Sequence, residues 1–123
     1  MANLNRDLTV LIHIQNYCKE TKETMTVFKN DYEEFKKNNI YRNAISMTIF
    51  QIGELVNHLS SEYLEETKDK MNWNMIRGMR NHFAHGYFKM DIRVIFETAL
   101  EDIPKLKEFI DSEILRINEE LKK

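Results

Sequence analysis

Residues 40–59 read Ile40-Tyr41-Arg42-Asn43-Ala44-Ile45-Ser46-Met47-Thr48-Ile49-Phe50-Gln51-Ile52-Gly53-Glu54-Leu55-Val56-Asn57-His58-Leu59. Ile45, Ile49, Ile52, Val56 and Leu59 recur at intervals of three and four, which puts them on one face of a helix from about Ile40 to Leu59. Glu54 falls about 180° from that stripe, on a side it shares with Met47 and Phe50. This second, half-apolar side suggests a subunit contact, with Gly53 allowing close approach. Glu54 either pairs with an arginine of the polar segment described below or is solvated.

The same period runs outward in both directions. Leu4, Leu8, Leu11, Ile14 and Cys18 define a first helix over roughly the opening two dozen residues, and Met25, Phe28, Tyr32 and Phe35 resume the spacing. Asn30-Asp31 can cap a shorter helix that stops at Lys36-Lys37-Asn38-Asn39. Ser60-Ser61-Glu62 starts a short helical turn ending near Lys70, and Asn72-Trp73-Asn74 opens another helix, with Gly86 just past its end. Trp73 reads as a core or interface anchor. Asp91 can cap the next helix, with Ile92, Ile95, Phe96, Ala99 and Leu100 facing inward. Pro104 marks a new helix start after Glu101-Asp102, and Ile103, Leu106, Ile110, Ile114, Ile117 and Leu121 carry that helix almost to the end. No strand-like alternation or repeat interrupts the pattern. The expected architecture is all-α, an antiparallel bundle of four or five helices forming one domain over residues 1–123.

Composition narrows the function. Three Gly and one Pro in 123 residues leave little material for turns. The net charge of −2 argues against a general polyanion binder. Its distribution is uneven: residues 70–93 carry Lys70, Arg77, Arg80, Lys89 and Arg93 against Asp91 alone, so a local basic patch is compatible with an acidic whole. Cys18 has no intrachain partner, which fits a reducing cytoplasm. No signal-peptide core or membrane-length apolar run is visible. His13 and His58 lack ligand-spaced partners, so neither a zinc site nor any other cofactor is expected.

The chemistry gathers in Arg80-Asn81-His82-Phe83-Ala84-His85-Gly86-Tyr87. Arginine offers a planar fork of donors that matches phosphate oxygens, and histidine exchanges a proton near neutral pH without a metal. On one continuous helix, five residues turn about 500°, leaving Arg80 and His85 about 140° apart. Either the helix ends between them or the site is built across two subunits.

Arg80-x4-His85-x-Tyr87, preceded by Trp73 and Ile76-Arg77-Gly78-Met79, resembles the HEPN superfamily and, within it, the HepT toxins of HepT/MNT toxin–antitoxin pairs. Arg42-Asn43-Ala44, Ile52-Gly53-Glu54, Phe88-x-Met90-Asp91 and Ile103-Pro104-x-Leu106 match that family in order, from about Arg6 to Leu115. The resemblance implies a HEPN-like helical homodimer in which two motifs meet in a cleft and act as a metal-independent endoribonuclease. It implies a small MNT-type nucleotidyltransferase as antitoxin, which transfers AMP to the motif tyrosine, here Tyr87. The alternative it leaves is a non-catalytic helical module that binds a nucleotidyltransferase and helps present nucleotide or substrate.

On the catalytic reading Arg80 holds the scissile phosphate, and His85 moves the proton of the ribose 2′-hydroxyl or of the leaving oxygen. On the plain reading Arg80 is a surface ion-pair donor and His85 a helix-end residue favoured by the macrodipole. Arg77, one turn before Arg80, either widens the phosphate patch or is solvated. Asn81 either bonds phosphate or ribose or satisfies helix-end carbonyls, and His82 has at most a minor role. Tyr87 is either an accessible phenol or an aromatic packed over a helix end.

Overall fold

The computed structural model describes residues 3–84 and 91–123, with only the backbone described for 81–84. The helices are α1 (Leu4–Val27), α2 (Tyr32–Lys37), α3 (Asn39–Val56), α4 (Ser61–Thr67), α5 (Trp73–Ala84), α6 (Ile92–Glu97) and α7 (Ile103–Leu121). A π-helical turn, Thr98–Asp102, joins α6 to α7. The described chain is all-helical, as the periodicity predicts.

Short polar residues set the boundaries. The Asp31 carboxylate accepts from the amides of Glu33 and Glu34 and starts α2. Asn38 ends α2 and starts α3 at once, its Oδ1 accepting from the amides of Ile40 (2.9 Å) and Tyr41 (3.1 Å). Ser60 caps α4, Asn72 accepts from the Met75 amide at the start of α5, and Asp91 caps α6.

Pro104 stands in the first turn of α7, as its reading as a helix start expects, but no loop separates that start from α6. It lacks an amide hydrogen and its ring would strike a preceding carbonyl in an α-turn. The π turn before it admits an extra residue, Ile103 N bonding back to Thr98 O, and the rod from α6 to α7 continues. The wider turn changes the register of the stripe: Thr98 is buried and Leu100, expected inside, is 38% exposed.

α1 packs on α3 and α7, and α3 packs in turn on α5. Leu11, Ile14, Cys18, Phe35, Tyr41, Ile45, Ile52, Val56, Leu106, Ile110 and Ile117 form the innermost core. Trp73 is a core anchor, its Nε1 donating to Thr67 Oγ1 at 2.8 Å. Between α5 and α7 lies an apolar groove of about 450 Å³ whose walls include Met71, Met75, Met79, Leu106 and Phe109. No helix among the described residues is long and apolar enough to cross a membrane.

Candidate ribonuclease site

The site begins with the crossing of α3 and α5. Gly53 is buried in α3, and a Cβ added there would collide with Arg80 Cβ and stand 3.3 Å from Arg80 Cα and Cγ. The close approach expected at Gly53 is therefore made by this chain's own Arg80. Glu54, the next residue, accepts a hydrogen bond at Oε1 from Arg80 Nε. Both side chains of this ion pair are about one-third exposed (32% and 33%). Of the two readings open for Glu54, the structure selects the pairing with a motif arginine.

The outer face of α3 leads along this pair. Met47 is 57% exposed, Phe50 is half-buried, and Glu54 follows one turn later. The Arg80 guanidinium is thus held against α3 at Glu54, one turn beyond Phe50.

Arg77 stands one turn before Arg80 and is half-buried. It faces the α4 side, lining an open depression of about 540 Å³ with Ser61, Leu64, Lys68 and Asn74. Its Nε is buried and hydrogen-bonds to no described residue. The backbone of Asn81 and His82 belongs to the last turns of α5. Their side chains, and the expectations for His85, Gly86 and Tyr87, lie outside the described residues.

Two buried polar contacts escaped the sequence reading. Asp7, 2% exposed, accepts from Ser60 N (2.8 Å) and Ser60 Oγ (2.7 Å), tying α1 to the start of α4. Glu113, 4% exposed, accepts from Tyr63 Oη at 2.7 Å and from Arg116 Nε and Nη2, tying α4 to α7. Each acid sits at core spacing within an apolar stripe, and a charge there signals a buried partner. They anchor α4, which in turn supports Trp73 at the start of α5.

Comparison with known proteins agrees with this architecture. The family model described as "Ribonuclease HepT-like" matches residues 14–113. The chain is 36% identical over 106 residues to "Putative RNase TTE0752" of Caldanaerobacter subterraneus subsp. tengcongensis, covering 86% of this chain and 91% of that one. It is 30% identical over 81 residues to "Putative RNase MJ1380" of Methanocaldococcus jannaschii, covering 66% and 73%. It is 29% identical over 76 residues to "Probable ribonuclease HepT" of Thermococcus cleftensis, covering 62% and 68%. No solved structure matches the chain significantly. The match takes in α3, the Gly53–Glu54 step, α5 and the arginine–histidine segment, and the chain belongs to the HepT-like ribonuclease family.

Proposed function

We propose that this chain is the toxin of a type II HepT/MNT-type pair, a metal-independent endoribonuclease that acts as a homodimer. The observation that supports this most is the fixing of Arg80 on α3, with His85 following directly on the last residue of α5. Arg80 binds a non-bridging phosphate oxygen and stabilises the charge of the pentacoordinate transition state. The ribose 2′-oxygen attacks phosphorus and gives its proton to the His85 imidazole. The bond to the 5′-oxygen breaks, and that oxygen leaves with a proton from an imidazolium or from water. The products are a 2′,3′-cyclic phosphate and a 5′-hydroxyl, and DNA, lacking the nucleophile, is not cut. Arg77 and Asn81 extend the phosphate-binding surface.

A nucleotidyltransferase partner silences the site by transferring AMP to Tyr87, which brings a phosphate and a bulky base beside the arginines. The face of α3 around Met47 and Phe50 is the surface on which a second copy would complete the cleft.

The experiment is cleavage of total cellular RNA by the purified protein, with EDTA present. Arg80→Ala and His85→Ala are each expected to lose about 10²-fold or more of the activity while melting like the wild type. Unchanged cleavage by either variant, or cutting of DNA, overturns the mechanism. For the control step, the partner with ATP and Mg²⁺ adds AMP to the wild type and not to Tyr87→Phe. AMP on another residue, found by mass spectrometry, overturns that assignment.

A further inference from the structure

We infer that Gly53 and Glu54 form a cradle on α3 that sets the direction of the Arg80 guanidinium, which makes Glu54 a positioning residue for RNA cleavage. The inference rests on the ribonuclease reading above. It stands on two independent contacts. At Gly53 the stem of Arg80 lies against the α3 backbone, where any Cβ would collide with it. At Glu54 the carboxylate holds Nε, the nitrogen nearest that stem. Stem and Nε together fix both where the planar group sits and how it is turned.

This orientation matters because the guanidinium recognises phosphate by its edges. With Nε donating to Glu54, the tilt of the planar group against α3 is set, and with it the edge that a phosphate can meet. A lysine could touch both partners, but its three donors rotate about one nitrogen and present no fixed planar edge for Glu54 to turn. An ion pair as exposed as this one adds little to stability. Its contribution is to orientation, and a misplacement of an ångström in a reacting group costs far more in rate than in binding.

Glu54 also places a negative charge next to the phosphate-binding cation. Removing it makes the site more positive, so RNA binds no more weakly while the transition state is stabilised less. This gives a signature that a purely structural residue does not produce. In single-turnover and steady-state assays on a synthetic copy of the RNA cut from the total pool, Glu54→Ala is expected to lower kcat by ~10–100-fold with KM unchanged or lower. Glu54→Gln keeps an acceptor oxygen in place and is expected to recover most of that loss. Gly53→Ala, which pushes the Arg80 stem off α3, is expected to lower kcat as Glu54→Ala does. Folded fractions are matched by circular dichroism, and the isosteric Glu54→Gln guards against a mere folding defect in the alanine variant.

Wild-type kcat in Glu54→Ala, or a loss that appears only as a raised KM, overturns the inference. Failure of the underlying reading looks different. If Arg80→Ala cuts RNA as fast as the wild type, the ribonuclease assignment of Arg80 falls and the cradle falls with it. If Arg80→Ala is inactive and Glu54→Ala is not, only the positioning role falls.

Discussion

Glu113 is a carboxylate placed where a leucine would ordinarily sit. Burial acts to raise its pKa, but the hydrogen bonds from Arg116 and Tyr63 outweigh it and hold the acid below its ordinary value of 4.5. The Tyr63 phenol is pushed up in turn, first by burial and then by its bond to Glu113. A carboxylate whose pKa is lower folded than unfolded stabilises the fold above the unfolded value. That stabilisation is lost as pH falls from about 4.5 through the lower folded value. Glu113→Gln is therefore expected to cost ~1–3 kcal/mol near neutral pH, and the deficit should shrink as the medium is acidified below that window. Chemical denaturation across the acid range checks this, and a deficit independent of pH contradicts it. At this scale the sequence was legible for Trp73, whose large ring with one polar edge announces a buried anchor. For Gly53 and Glu54 it offered close approach and an arginine partner but not that one residue, this chain's own Arg80, supplies both, because a helical period places side chains on faces without saying which neighbouring helix arrives there.

The elements followed their caps closely, and the departures have local causes. α1 ends in a turn in which Asn30 N bonds to Met25 O at 2.8 Å and Lys29 N to Thr26 O at 3.0 Å. Lys29 and Asn30 there adopt φ of 58° and 53°, a region where asparagine is tolerated and lysine is not favoured. Lys29→Gly is expected to raise stability by ~0.5–1 kcal/mol, the relief of left-handed strain exceeding the added entropy of the unfolded chain. A urea midpoint at or below that of the wild type would show that the turn carries no such strain. Asn38 was read as part of a break, and it serves as the hinge of two helices because its short amide can accept from both amides that follow. Pro104 was read as a start, since proline favours a first turn. What the residue alone does not reveal is that a π turn satisfies the same requirement without breaking the rod.

Over the whole molecule, α1 lies between α3 and α7, and α5 lies outside α3. That order gives α5 a dependable seat on only one side, with the methionine-lined groove on the other. It also leaves the outer face of α3, with Met47 exposed and Phe50 half-buried, next to the Arg80–Glu54 pair. Light scattering at micromolar concentration is expected to give twice the chain mass, and Met47→Asp to shift it toward one. A monomer in the wild type contradicts the shared cleft. The all-helical bundle was readable from periodicity alone, whereas the neighbour order was not, because every helix here has an apolar stripe and the stripes do not name their partners. That order bears on synthesis. α1 is made well before α7, one of the two helices that cover its apolar face. The Asp7–Ser60 tie spans 53 residues, whereas Gln15 must wait for Asp111, 96 residues on. Between those two contacts α1 is half clothed, and α7 is what covers the rest.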